Sequence, residues 1–160
     1  MWCSCVIPIY ITSEIMAVAS DELVFQSPYL AVVKAKELLQ EGQMAEAYNV
    51  LDSLAESMGR SEKRAMSSQL TRLMLHIIKW QCQPEKRSAS WVISIRSARR
   101  EIADSQEEMP SLNRNFLNSI WDKCLAAAKE DARDEMGKKP EIVTLSWDEV
   151  FVQTYTLWED

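Results

Sequence analysis

Several residue types on which nucleotide-binding and zinc proteins depend are scarce in this sequence. The 160 residues include three glycines, at 42, 59 and 137, which lie too far apart for a G-x-G-x-x-G turn or a phosphate-binding loop. The single histidine excludes His-rich zinc sites and the H-E-x-x-H helix, and it leaves His76 as the one possible base of a Ser-His-Asp triad. No apolar run approaches the ~20 residues of a membrane-spanning helix. Rossmann and P-loop nucleotide binding, histidine-based zinc chemistry and a membrane-spanning helix are therefore excluded.

The four cysteines are poorly placed for metal binding. They lie at positions 3, 5, 82 and 124, with one C-x-C pair and no C-x-x-C. Cys82 and Cys124 fall within helical patterns, where a free cysteine usually packs as a small apolar residue. We therefore expect reduced cysteines, no metal, no cofactor and a cytoplasmic location.

The first 26 residues differ in character from the rest of the chain. They are apolar but lack the basic start of a signal peptide, and Pro8 interrupts an apolar stretch of about five residues. We interpret residues 1–26 as a disordered or non-essential leader, with Met16 as an alternative start. The remaining residues, 27–160, are predicted to form a single helical domain, because 47% hydrophobic and 26% charged residues are typical of globular proteins.

Five segments carry apolar residues at helical spacing, and the glycines and prolines fall almost entirely between them. The short extended stretch at 141–145 has no plausible partner strand. Because short loops join successive helices, we predict an all-α fold, a compact bundle of about five helices with a short C-terminal helical turn packed across it. The segments run from Ser27 to Gly42, from Met44 to Gly59, from Ser61 to Pro84, from Ser88 or Ser90 to Pro110, and from Ser111 to Gly137.

The apolar positions of these segments predict the core. The second segment repeats apolar residues at i, i+3, i+4 and i+7, so one whole face of it is expected to be buried. The last aromatic residues are expected to cap the open end of the core after a capping box at Ser146–Glu149, with a partner-binding tail as the alternative. The residues expected to be buried are Ala31, Val32, Ala35, Leu38 and Leu39; Met44, Ala47, Tyr48, Leu51, Leu54, Ala55 and Met58; Met66, Leu70, Leu73, Met74, Ile77 and Ile78; Trp91, Ile95, Ala98 and Ile102; Leu117, Ile120, Trp121, Cys124, Ala128 and Ala132; and Trp147, Phe151, Tyr155 and Trp158.

The middle of the chain contains several specific motifs. They are E-x-M-G-R-S-E-K-R at 56–64, H-x-x-K-W-Q at 76–81, Pro84, Arg87, Ser90-Trp91 and Arg99-Arg100-Glu101, followed by P-S-L at 110–112 and S-W-D-E-V at 146–150. In these motifs the sequence resembles the bacterial, mainly cyanobacterial, helical proteins catalogued as domain of unknown function 29. The resemblance covers most of residues 40–158. It implies an all-helical fold and an intracellular location, and it supplies no activity.

Charge is distributed unevenly along the chain. Residues 60–100 contain ten basic residues against Glu62 and Glu85, a net +8, whereas the whole chain carries −6 and the remainder therefore −14. Either this segment presents an open positive surface to phosphates or another anion, or acidic helices lie against it and neutralise it. We expect the second arrangement, because a bundle brings the helices together and the net charge disfavours nucleic-acid binding. The residues of the candidate anion or partner site are His76, Lys79, Arg87, Trp91, Arg96, Arg99 and Arg100.

Two single residues near this segment are candidates for particular roles. His76 lies one helical turn from Arg72 and Lys79, and neighbouring cations would hold its imidazole neutral, so it could bind an anion through an N–H group. A packing role is nevertheless the expected one. Glu56 is expected to form a structural ion pair with one of the cations that follow it, which are Arg60, Lys63 and Arg64.

The sequence favours an interaction or regulatory module without catalysis. Its partner would be an unknown protein or a second copy of the chain, with no membrane. One alternative is a small anion- or nucleic-acid-binding protein that uses the basic segment at 60–100. The other is an enzyme that uses His76. We predict no catalytic residue, no cofactor site and no metal site.

Overall fold

The computed structural model describes residues 27–141 and 144–158, so the predicted leader at 1–26 lies outside the described residues. All regular structure in these residues is helical, which confirms the predicted all-α class with about five helices. No helix of the described residues is long and apolar enough to cross a membrane. The helices are α1 (Pro28–Gln40), α2 (Met44–Cys82), α3 (Ala89–Glu108), α4 (Arg114–Met136) and α5 (Trp147–Phe151), with a 3-10 turn at Pro84–Lys86.

The helix ends follow the local signals of the sequence at most positions. Ser27 precedes α1 with Pro28 in its first turn, and Gly42 follows α1 with a left-handed φ of +78°. Gly137 ends α4 in the same conformation. Helix α4 begins later than predicted: the side chain of Asn113, and not that of Ser111, accepts hydrogen bonds from the first turn. The predicted capping box at Ser146 is present, with both reciprocal hydrogen bonds formed.

The prediction that a helix ends at Gly59 is wrong. Helix α2 has 39 residues and runs through Gly59 without a break. Gly59 does not have the positive φ of a helix-ending glycine, which Gly42 and Gly137 both have. A glycine inside a helix costs about 1 kcal/mol, which the good helix formers on either side tolerate. The predicted second and third helices are therefore one element.

The described residues belong to two compact units, one ending at Ser61 and the other beginning at Glu62. The first unit contains a helical hairpin, in which a three-residue turn joins α1 to the first part of α2. Its core is small and half of it is alanine. The six buried side chains are Ala31, Ala35, Leu38, Ala47, Val50 and Leu54.

The second unit has a larger core, formed by the rest of α2 with α3, α4 and the C-terminal segment. All six core residues predicted between Met66 and Ile78 are buried, and Leu70 is fully inaccessible. Trp91 is only half-buried because its helix turns Val92 into the core instead. Ile120 and Trp121 are also half-buried, while Leu125, which the pattern missed, is buried.

The C-terminal aromatic residues divide into packed and exposed ones. Trp147 stacks on Trp121 with ring centroids 5.7 Å apart, and Phe151 lies 4.3 Å from the Trp147 ring. Tyr155 is buried. Trp158 is 79% exposed, so the expectation that it caps the core is wrong.

Candidate functional site

The most connected cation of the predicted site is Arg99, on α3. Its Nε donates to the carbonyl of Val150 at 2.7 Å, and its two terminal nitrogens donate to the carbonyls of Gln153 and Glu149 at 2.9 and 3.1 Å. The guanidinium is planar and presents donors in a fixed fork, so one side chain can satisfy three carbonyls near the end of α5. Arg99 therefore fastens the C-terminal segment to α3.

Tyr155 contributes to the same attachment, beside Arg99. Its hydroxyl donates to the Glu149 carbonyl at 2.8 Å, and its ring lies edge-on to Trp80 at 5.8 Å and beneath the Arg99 guanidinium at 5.3 Å. Burial raises the pKa of Tyr155 to about 12, so the hydroxyl is a donor at neutral pH. Burial lowers the pKa of Arg99, an effect that Tyr155 opposes. These residues make structural contacts within the chain.

Lys79, Arg87 and Trp91 also contact their own chain. Lys79 forms an ion pair with Glu135 and lies 4.6 Å from the centre of the Trp91 ring. Arg87 donates to the Trp80 carbonyl at 3.0 Å and lies over the Trp80 ring at 4.7 Å. Lys79 thus joins α2 to α3 and α4, and Arg87 holds the turn that precedes α3 against the end of α2.

His76 is half-buried on α2. Its Nδ1 donates to the carbonyl of Arg72 at 2.9 Å, one turn earlier in the same helix. Burial lowers the pKa of His76 and the nearby cations Lys79 and Arg72 lower it further, against the opposing effects of that hydrogen bond and of Glu135. The imidazole is therefore neutral at pH 7, with Nδ1 protonated.

Arg96 and Arg100 are arranged differently from the other predicted residues. Both are exposed, one turn apart on α3, and neither forms an ion pair within the residues that the structure describes. Arg96 lines a shallow cavity of about 180 Å³ with Ile93 and Trp158. Asp104, one helical turn further along α3, makes no such contact with Arg100. The seven predicted site residues thus do not converge on one pocket.

The residues of the predicted structural ion pair lie along α2. Glu56 and Arg60 are 3.3 Å apart, and both side chains are more than half exposed. Lys63 and Arg64 are exposed. A pair so accessible to water contributes at most a few tenths of a kcal/mol.

A second candidate surface lies on the helical hairpin of the first unit. Eight of the twelve large apolar side chains that are exposed in the described residues belong to this hairpin. On α2 they follow heptad spacing, since steps of 4, 3, 4 and 3 residues connect Met44, Tyr48, Leu51, Ala55 and Met58. Tyr48 and Met44 are each 69% exposed. We call this surface the exposed seam, and its large apolar residues are Tyr29, Val32 and Leu39 on α1 and Met44, Tyr48, Leu51 and Met58 on α2.

The sequence pattern found these residues but assigned them to the wrong environment. Six of the seven were expected in the core, and Tyr29 was not assigned. The hairpin core instead uses Ala47, Val50 and Leu54, on an adjacent stripe of α2. A helix with two adjacent apolar stripes can bury only one against a single partner helix. Both stripes have steps of 3 and 4 residues, so the spacing alone could not distinguish the exposed stripe from the buried one.

The comparison with known families identifies one family. The family described as "Domain of unknown function DUF29" matches residues 29–156, which is most of the chain and includes both units in large part. Neither the curated proteins nor the solved structures give a significant match. The chain belongs to the DUF29 family.

Proposed function

We propose that this member of the DUF29 family is a protein-interaction module that binds its partner through the exposed seam of its helical hairpin. The observation that carries the proposal is the concentration of exposed apolar side chains on the hairpin, at heptad spacing on α2. Contiguous exposed apolar surface of this kind marks interaction sites in soluble proteins. Side chains at heptad spacing form one stripe along a helix, and such a stripe packs against a second helix. We therefore expect the partner to contribute a helix.

The size of the hairpin core supports the same role. Three of its six buried residues are alanines, so little apolar area is removed from water within the hairpin. Helix α1 has 13 residues, a length at which an isolated helix is marginal in water. A partner helix on the exposed seam would bury the larger side chains and stabilise both helices.

The contacts of the basic segment favour a non-catalytic role for it. Arg99, Lys79 and Arg87 act on carbonyls, a carboxylate and a ring of the same chain. His76 uses one ring nitrogen within its own helix. A cytoplasmic setting and a bacterial origin belong to this proposal, since the resemblance implies both.

The experiment compares native complexes in cleared extracts of cells that express the full chain. Tyr48→Glu/Leu51→Glu places two charges in the exposed seam, whereas Ala45→Glu/Asn49→Glu adds the same charge outside it, at exposed positions of the same helix. We expect the wild type and the second variant to elute above the mass of a monomer, and the seam variant to elute as a monomer. Identical elution of all three proteins would contradict the proposal.

A further inference from the structure

We infer that the partner of the exposed seam is the hairpin of a second copy of this chain, and that the two hairpins form a four-helix bundle around a two-fold axis parallel to the helices. This inference rests on the proposed function. It adds the identity of the partner and the way in which it packs.

In both helices of the hairpin the apolar residues form two stripes, one buried and one exposed. Each helix contacts the other through a narrow stripe, Ala31, Ala35 and Leu38 on α1 and Ala47, Val50 and Leu54 on α2. At 3.6 residues per turn, each helix's part of the exposed seam lies about a quarter to a third of a turn from that stripe. This is the angle between neighbours in a four-helix bundle, where each helix touches two others.

Both parts of the seam lie on one face of the hairpin. In α1 and in α2 the seam is displaced from the buried stripe in the same rotational sense when each helix is viewed from its own N-terminus. The helices run antiparallel, because a three-residue turn joins them and one core lies between them. The same rotation on antiparallel neighbours points to the same side, so the hairpin presents a single apolar face.

That face is complementary to itself. A two-fold axis parallel to the helices leaves every residue at its own level, so α1 of one copy lies against α2 of the other, antiparallel and in nearly the register of the hairpin. Val32 then lies beside the small Ala55 of the second copy, and Leu39 beside Tyr48. Large side chains meet large ones towards the ends, where Tyr29 approaches Met58.

Charge supports the same arrangement. Lys36 occupies the position of α1 that continues its seam between Val32 and Leu39, and it is exposed. Asp52 follows Leu51 and lies on the outer flank of the α2 seam, also exposed. In the inferred register Lys36 lies within the α1 seam at the level of Leu51 of the other copy. Its long side chain can extend to the outer edge of the interface, where Asp52 of that copy lies, so one opposite-charge pair borders each of the two contacts.

The first test measures the mass of the purified full chain by light scattering and sedimentation. We expect twice the 18.4 kDa of one chain, with Tyr48→Glu/Leu51→Glu at the mass of one chain and Ala45→Glu/Asn49→Glu unchanged. Circular dichroism shows that each variant is helical. A dimer that the seam variant leaves intact would overturn the inference.

The second test exchanges the charges. Lys36→Asp and Asp52→Lys each place like charges at both flanking contacts, so each is expected to weaken self-association at least about tenfold. A one-to-one mixture of the two variants restores opposite charges at both contacts, and we expect a mixed dimer of wild-type affinity. Failure of the mixture to associate more tightly than the separate variants would overturn the inferred packing.

The two proposals fail in different ways. A purified monomer together with a seam-dependent complex in extracts would overturn self-association and leave the proposed interaction module standing. A monomer in both conditions would overturn both proposals.

Discussion

Arg99 shows how one side chain can attach a distant segment. Its three hydrogen bonds reach carbonyls that lie about 50 residues further along the chain. Arg99→Lys keeps the positive charge but replaces three nitrogens with one, so the shorter fork-less side chain cannot reproduce the three hydrogen bonds in the same geometry. We expect the free energy of unfolding to fall by about 1.5–3 kcal/mol, as measured by chemical denaturation.

The control for this prediction is Arg96→Lys on the same helix. Arg96 is exposed and forms no ion pair in the described part of the chain, so its replacement should change stability by no more than about 0.5 kcal/mol. Equal effects of the two substitutions would show that the contacts of Arg99 contribute nothing specific.

His76 makes stability depend on pH in a defined direction. Its folded pKa lies below the unfolded value of 6.5, mainly because it is half-buried, so the unfolded state binds the proton first as the pH falls. Above pH 6.5 the imidazole is neutral in both states, and His76 does not reduce the free energy of unfolding. As the pH falls from 6.5 towards the folded pKa, protonation of the unfolded state lowers that free energy. Glu149, whose pKa is lowered from 4.5 by its hydrogen bonds to Ser146, acts only at lower pH.

The measurement compares the wild type with His76→Gln between pH 8 and pH 5. Glutamine can donate a hydrogen bond but does not titrate, so the wild type should lose stability relative to the variant as the pH falls through this range. Because the chain has one histidine, a nuclear magnetic resonance titration of the folded protein reads the same group directly. A midpoint at or above 6.5 would refute the prediction.

At the scale of elements, Gly59 within α2 and Gly42 after α1 form a matched pair of glycines for substitution by alanine. A Cβ at Gly59 would meet no atom within 4 Å, and the backbone there is helical. Gly59→Ala should therefore stabilise the protein by about 0.4–1 kcal/mol. Gly42 has equal space but a φ of +78°, so Gly42→Ala should destabilise it by about 1–2 kcal/mol. Thermal melts would distinguish these effects, and a loss of stability in both variants would contradict the continuous helix.

Local signals predicted those parts of the fold that local physics determines. Pro28, Gly137 and the capping box at Ser146 mark helix ends in the sequence as they do in the structure. The face from Met66 to Ile78 was predicted because a fully buried stripe has the period of the helix. Gly59 was misread because a glycine permits both a helix and its end, and the choice depends on the φ that it adopts.

The rest could not be read from local patterns because it depends on residues far apart in the chain. The sequence shows that Arg99 is charged and lies on a helix. Its partners near Val150 are backbone carbonyls, which every residue has, so the sequence does not identify them. Tyr48 and Leu51 have the periodicity of buried residues, and periodicity does not state whether the covering helix belongs to the same chain. The charges at 60–100 likewise did not reveal which of them contact rings and carbonyls.

At the scale of the whole molecule, the separation of charge along the chain is only partly offset by contacts. Lys79 is paired with Glu135 and Arg60 with Glu56, whereas Arg96 and Arg100 are open to solvent. The expected neutralisation by acidic helices therefore accounts for Lys79 and not for the two arginines. Their exposure is the observation that favours the alternative function, the binding of an anion.

A measurement of nucleic-acid binding tests whether Arg96 and Arg100 form an anion-binding site. Binding to a polyanion releases counterions, so affinity falls steeply with salt and depends on the number of phosphates neutralised. Two adjacent arginines on a chain of net charge −6 would neutralise few phosphates, and the remaining charge repels the strand. We expect fluorescence anisotropy to show no saturable binding of single- or double-stranded nucleic acid, even at low salt. Arg96→Glu/Arg100→Glu should leave the melting temperature nearly unchanged, because no ion pair within the described residues is lost. Salt-sensitive binding by the wild type that this double variant abolishes, with an unchanged melt, would replace the interaction module with an anion-binding protein.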